Sequence, residues 1–445
     1  MTDETSGPKP WDLERYRGVK ERPDYRVEWD RDRDLVLDDS HRTGRSRPIY
    51  SFDGPSLFWL VLRAVGLTVL TLGIYRFWMT TSLRRHYWHA IRIQGDPFEY
   101  SGTGFEKLLG FLMAIVILAV YLALVNLALT YVEISFLNGS PWALPLSMLF
   151  AAPLIFFAQY RARHYILART RWRGIRFGLG KGAWGYAWRA MWYWTVAILT
   201  AGLLRPYAQF KLSKYATDRA WYGDLKFEQG GSWVGLFAQW VWLYIIFGMM
   251  GLASWGMAAD KYNPATAVIG MAIIGVGSFA LFVMALRYEV VTFRYLWNHR
   301  SLGDVTFTCD ISPTQVIKVY VLGSLAVTIF TIVVALVVMA LAAIVAYVLV
   351  SPEQFTAMTR MKGFDGAAGD WTTMAIVIVG YVVVFAVSYA FGHVFITQPI
   401  LQRKAESMTL NNVQLLSLSR QREHDAAAEA GGFADALGVD VGAGI

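Results

Sequence analysis

The sequence predicts an all-α polytopic membrane protein: internal repeats of transmembrane helix hairpins, joined by basic cytoplasmic connectors and carrying small cytoplasmic β-strands. Three observations carry this. Of 445 residues, 55% are hydrophobic and 17% charged, where a soluble chain carries about 25% charge, and mean hydropathy is +0.37. Apolar runs recur at the length of a spanning helix. One stretch is also written twice: TLGIYRFW at 71–78 and TAGLLRPY at 200–207 align so that Leu83 falls on Leu212, Arg85 on Lys214, Phe98 on Phe227 and Glu99 on Glu228 without a gap.

The net charge of +8 is concentrated in a few connectors, so it is read loop by loop. The single cysteine, Cys309, excludes an internal disulfide framework and any multi-cysteine metal cluster. Residues 1–48 mix both signs of charge with little apolar content, which predicts a disordered tail apart from a short piece at YRVEW. That start has no apolar h-region, so no cleavable signal peptide is expected and the first hydrophobic helix does the targeting.

The membrane domain is read as 49–410. Apolar runs at 108–132, 141–160, 232–256, 265–286, 319–350 and 372–396 each supply the roughly 20 residues a spanning helix needs. They pair into three hairpins, in repeats at about 52–160, 177–287 and, more degenerate, 307–405. Residues 411–445 read as a polar tail.

Two further apolar segments, 56–75 and 183–204, each contain an arginine, Arg63 and Arg189. An arginine at the centre of a lone spanning helix costs about 2.5–3.5 kcal/mol on insertion scales. The connectors 76–102, 161–182 and 205–231 all carry a Lys/Arg excess, so the positive-inside rule puts all three, and both termini, in the cytoplasm. Two arrangements stay open. The segments are re-entrant or lie in the membrane plane, with Gly66 and Gly73 as break points in the first, or they cross fully against the charge rule. The loops near Asn138, Asn263 and Phe364 are expected outside. The pieces FEYSG, FEQGG and VTFTC alternate like strands and are too short to stand alone, so they would pair into a small cytoplasmic sheet.

The run TLGIYRFW, followed by LRRHYW and RIQGDPFEYSGTGFEKLLGF, resembles the signature of the YjgN-like family of bacterial inner-membrane proteins, a domain of unknown function. The resemblance covers roughly residues 50–405. The second copy departs from it: Pro206 stands beside Arg205, and GDLKFEQGG carries an extra residue before its Phe. The resemblance implies a multi-pass protein of the bacterial inner membrane and supplies no reaction, cofactor or ligand.

No catalytic constellation is written in the chain. GLGKG at 178–182 lacks the P-loop spacing, no GxSxG elbow occurs, and nothing completes a zinc site around His86 and His89. The expected cofactor and metal sets are empty, and the chain is not expected to be an enzyme. Transport or binding of an anionic or amphipathic small molecule is the leading expectation. The spans hold no Asp or Glu to relay protons, which leaves Arg63, Arg189 and His393, with Arg76 and Arg205 close by, as the charges for a shared anion site flanked by Tyr75 and Trp78. The alternative is a non-catalytic scaffold or anionic-lipid-binding protein. There Arg84, Arg85, Arg161, Arg163, Arg169, Arg171, Trp172 and Arg173 would meet lipid headgroups, the partner favoured over nucleic acid for a basic-aromatic patch beside a membrane. No motif names a protein partner.

Overall fold

A computed structural model describes residues 44–136, 143–260, 263–349 and 371–422. Its organising element is a strand pair that recurs four times: three residues, a two-residue turn, then five residues. These are β3 (Ile91–Ile93) with β4 (Asp96–Tyr100), β5 (Thr170–Trp172) with β6 (Ile175–Leu179), β7 (Ala220–Tyr222) with β8 (Leu225–Gln229), and β9 (Arg300–Leu302) with β10 (Val305–Cys309). A two-residue hairpin needs positive φ. Gln94–Gly95 and Arg173–Gly174 have it at both positions, the type I′ pattern, whereas Gly223 and Gly303 have it at the first only, the type II′ pattern. The expected extra residue before Phe227 is therefore no insertion. Glycine has moved one place within a turn of constant length, and Phe98 and Phe227 occupy the same third position of their strands.

With β1 (Arg45–Ser46), β2 (Ile49–Tyr50) and β11 (Met408–Asn411), these strands form one antiparallel sheet of 11 strands ordered β1-β11-β10-β9-β8-β7-β6-β5-β4-β3-β2. Its two edges, β1 and β2, are separated in sequence by Arg47 and Pro48 alone. A link that short holds the edges within about 11 Å, so the sheet curls into a half-barrel. One core confirms the curl: Ile93 of β3, Trp172 of β5, Tyr222 of β7, Leu302 of β9, Phe307 of β10 and Leu410 of β11 belong to a single buried cluster. Phe98, Phe177, Phe227 and Phe307, one from each hairpin, run through it as an arc with neighbouring ring centroids 6.0, 6.5 and 6.4 Å apart.

The chain after β11 fills one end. Val413 and Leu416 of the 3₁₀ turn Val413–Leu418 enter the same core. Ser419 donates to the Asp224 carboxylate at 2.8 Å, and the Arg420 backbone donates to it at 3.1 Å. These two bonds hold the Asp224 carboxyl below the usual carboxylate range. The tail expected over 411–445 thus starts late, since 411–422 are built into the half-barrel, and β1 lies inside the segment expected to be disordered to residue 48.

Helical hairpins link neighbouring strands. The pair α1 (Gly54–Leu70) and α2 (Arg76–Ala90) joins β2 to β3, α3 (Gly104–Phe136) and α4 (Ala143–Arg169) join β4 to β5, and α5 (Ala183–Leu199) and α6 (Arg205–Thr217) join β6 to β7. The pair α7 (Val234–Ala259) and α8 (Pro264–Asn298) joins β8 to β9. Last, α9 (Pro313–Leu349), α10 (Trp371–Gly392), a π turn (His393–Thr397) and α11 (Gln398–Glu406) join β10 to β11. Five helical stretches among the described residues are long and apolar enough to cross a membrane: Gly104–Phe136, Val234–Ala259, Pro264–Asn298, Pro313–Ile344 and Val377–Glu406. The chain is a helical membrane protein set on a half-barrel. The loops at Asn138 and Phe364 lie outside the described residues.

Phe307 and Cys309 report on this core, being 7% and 0% exposed. Phe307→Ala is expected to cost about 3–5 kcal/mol. Thermal unfolding in detergent will show a lowered midpoint, and Cys309, unreactive to maleimide in the folded wild type, will label at a lower temperature in the variant.

Candidate membrane-interface site

The twice-written stretch is a helix break, built the same way in both copies. At the end of α1, Leu72 (φ 50°) and Gly73 (φ 93°) turn left-handed, and at the end of α5 Ala201 (φ 52°) and Gly202 (φ 88°) do so. The Gly73 and Gly202 amides donate back to the carbonyls of Thr68 and Ala197 at 2.7 and 2.6 Å, and those of Leu72 and Ala201 to Val69 and Ile198 at 3.1 and 2.9 Å. This is the Schellman arrangement for closing a helix. Thr71 and Thr200 donate to Leu67 and Val196 and accept from the Tyr75 and Leu204 amides, at 2.9 and 3.3 Å, which starts the descending helix. Arg76 and Arg205 open α2 and α6.

Each short hairpin doubles back. Thr68 meets Met79 across the first, and the ring pairs Tyr193–Tyr207 and Tyr186–Tyr215 lie across the second. Because β2 pairs with β3 and β6 with β7, both ends of each hairpin sit at adjacent strands of one sheet. Each segment therefore returns to the sheet that it left. The 17 residues of α1 and of α5 rise only about 25 Å from the sheet. On the long helices the last charged side chains before the apolar runs, Arg161 and Arg287, stand about 14–18 Å above it, and Arg76 and Arg205 stand about 22 Å above it. The breaks therefore reach one or two turns past the charged layer. Their side chains suit that depth: Leu70, Leu72 and Ile74 are 80%, 95% and 53% exposed, and Ile198 and Leu199 72% and 80%. Each such side chain gains about 1.5–3 kcal/mol on full burial in an apolar phase.

The charges expected to share one site are spread out. Arg63 is exposed on α1, which packs on α2 and α10, whereas Arg189 is exposed on α5, which packs on α4 and α6. Arg189 donates to the Gly185 carbonyl at 3.0 Å and lies 4.8 Å from the Tyr215 ring centre, and Arg205 stands 5.0 Å from that of Trp240. Arg63 stands only about 14 Å above the sheet, the height of Arg161 on α4. His393 joins the first hairpin, with Tyr87 of α2 at 2.7 Å from its Nδ1. It lines a groove of about 410 Å³ with Phe385, Ser388, Tyr389, Ile396 and Thr397 that Arg63, Arg76, Arg189 and Arg205 do not border. The pairing of a shared anion site with Tyr75 and Trp78 has no counterpart here.

The headgroup set divides as well. Arg84 meets the Tyr100 hydroxyl at 3.2 Å, Arg85 the Gly102 carbonyl at 3.4 Å, and Arg169 the Glu106 carboxylate at 3.2 Å, all near the helix–sheet junction. Arg161 is half-buried on α4. Arg171, Trp172 and Arg173 lie beyond α4, which ends at Arg169, where the chain enters the sheet. Trp172, 2% exposed, is core, and Arg171 stands opposite Glu99 and Arg176 in the strand register. Arg173, in the turn furthest from the helices, pairs with Asp96 at 2.6 Å. Arg163 lies on the α4 face of Tyr160 and Leu167, which pack inward against Leu179 of β6 and Ala220 of β7. Sequence reasoning missed the ties that hold the second break, from Trp240 to the Gly202 carbonyl at 3.1 Å and from Tyr244 to that of Ala201.

Fold and site together define a helical membrane protein whose long apolar helices and short, apolar-tipped hairpins hang from one curled sheet. A family model described as a bacterial protein of unknown function (DUF898) matches residues 50–332, and the chain belongs to that family, the YjgN-like proteins. No curated protein and no solved structure matches it.

The two breaks differ in their surroundings. A Cβ on Gly73 would meet nothing within 4 Å, while one on Gly202 would stand 2.8 Å from the Tyr244 hydroxyl. Gly73→Ala is expected to cost about 1–2 kcal/mol from left-handed strain alone. Gly202→Ala will cost more, read as a larger fall in the thermal midpoint.

Proposed function

We propose that this is a non-catalytic protein of the bacterial inner membrane, with the sheet and both termini cytoplasmic, that binds anionic lipid through its two short hairpins. The observation that carries the reading is the match between them: the same left-handed break, exposed apolar tips, and an arginine at the same height, in two places on one sheet. An apolar tip flanked by a cation is the composition of a segment lying in the headgroup–acyl boundary. Each basic residue at that level adds about 1 kcal/mol of attraction to an anionic surface. What favours this over translocation is that Arg63, Arg189, Arg76 and Arg205 are exposed rather than gathered round a cavity.

Binding or transport of an amphipathic molecule is supported separately by the groove at His393, where a π turn interrupts the last spanning segment. The shared break geometry also supports an internal duplication, with units near 52–160 and 177–287 and a degenerate third near 307–405.

In nanodiscs, phosphatidylglycerol is expected to raise the thermal midpoint relative to phosphatidylcholine, less so at high salt. The double variant Arg76→Gln/Arg205→Gln should lose most of the difference while keeping its midpoint in phosphatidylcholine. An unchanged lipid response in the variant would refute the reading.

A further inference from the structure

The outer face of the half-barrel is basic around Trp221, and strand alternation makes it so. Arg171 lies between the buried Thr170 and Trp172, and Trp221 between the buried Ala220 and Tyr222. Arg176 is flanked by Ile175 and Phe177, and Lys226 by Leu225 and Phe227, all four packed on the core. Arg171, Arg176, Trp221 and Lys226 therefore point outward. Register sets them side by side: Arg171 is opposite Arg176, and Trp221 is opposite Gly178 on one side and Lys226 on the other. Like charges directly opposed across a strand pair repel. Among the described residues Arg171, Arg176 and Lys226 make no ion pair.

The chain itself arrives on this face after β11. With Ser419 and Arg420 tied to Asp224, the Gln421 side-chain oxygen accepts from the Arg176 backbone N–H at 2.8 Å, and the Arg422 guanidinium lies 4.8 Å from the Trp221 ring centre. Arg422 thus joins Arg171, Arg176 and Lys226, and the acids that share the face are Glu99, opposite Arg171, and the exposed Glu228. The balance there is positive. Beyond Arg422 the sequence changes sign: residues 423–445 carry Glu423, Asp425, Glu429, Asp435 and Asp440 and no Lys or Arg.

We propose that the basic outer face around Trp221 is the docking surface for this chain's own acidic segment 423–445. The reach is sufficient. At about 3.3 Å per extended residue, Asp425 extends about 10 Å from Arg422, and strands about 4.8 Å apart put Lys226, Arg176 and Arg171 within that distance. One exposed ion pair contributes little, but a segment tethered at the face meets it at an effective concentration in the millimolar range, so several weak pairs act together. The carboxylates relieve the Arg171–Arg176 repulsion. This surface is separate from the short-hairpin tips, and Arg76 and Arg205 take no part in it.

The test uses the full chain, Cys309→Ser, with a spin label at Ala430→Cys, one copy per phosphatidylcholine nanodisc so that contacts between copies are absent. At low salt the label should show a slow, restricted component. In about 1 M sodium chloride, where the screening length is about 3 Å, that component should fall at least twofold. Arg171→Gln/Arg176→Gln/Lys226→Gln should lower it as much at low salt, and so should Asp425→Asn/Glu429→Gln. Arg171→Lys/Arg176→Lys, which keeps the charge, should retain it, and Arg76→Gln/Arg205→Gln should leave it unchanged. The proposal is overturned if the label moves freely at low salt, or if it is restricted but indifferent to salt and to the Gln variants. A single-stranded oligonucleotide that binds the face while the label moves freely without it would assign the face to nucleic acid and overturn the proposal as well.

Discussion

Every helical hairpin of this protein must leave from one strand and return to the strand beside it. That constraint comes from the antiparallel sheet, in which β2 pairs with β3, β4 with β5, β6 with β7, β8 with β9 and β10 with β11. A sheet exposes peptide groups at its rims and does not sit in hydrocarbon unless its edges are closed or shielded. On the proposed reading the sheet stays on one side, and each helical hairpin comes back to it. The long helices are long and apolar enough to cross, whereas α1 and α5, of 17 residues each, reach only about 25 Å. The height of every charged residue above the sheet then follows from its distance along the helix.

The half-barrel bears this load because its interior is one continuous core. Three-residue strands are too short to be stable alone. They persist because each is the direct extension of a helix end and because the arc of Phe98, Phe177, Phe227 and Phe307 is shared between hairpins. The usual hazard of a sheet, its open edges, is reduced by placing β1 and β2 two residues apart and by pairing β1 with β11. The turn after β11 then covers the end of the core through Val413 and Leu416.

The spanning helices were legible in the sequence because apolar length is a strong signal, and the duplicated break was legible because it depends on fixed local chemistry at Thr, Gly and Arg. The strand pieces around Phe98, Phe227 and Phe307 could be seen from their alternation. Their partners could not: TRW and RSL are three residues long and include arginines, and MTLN carries no periodicity. Without those partners the sheet reads as separate fragments, so Trp172 and Arg173 looked like headgroup residues rather than core and turn. Charge counting gave the same-side placement of the connectors, which is what the strand pairing requires. It could not tell an inward arginine, Arg163, from an outward one such as Arg63, because that depends on which face of α4 meets β6 and β7.

The central claim, that the two short hairpins dip into the boundary and return, is a claim about depth. Spin labels at Leu72 and Leu199, on a Cys309→Ser background in lipid nanodiscs, measure it through collisions with oxygen and with a water-soluble nickel complex. The account predicts that both tips sit about 5–10 Å below the phosphate level, with labels at the exposed Leu124 and Phe279, about 30 Å above the sheet along the long helices, deeper. Tips at the bilayer centre, or labels reached by an impermeant reagent from the face opposite the sheet, would contradict it.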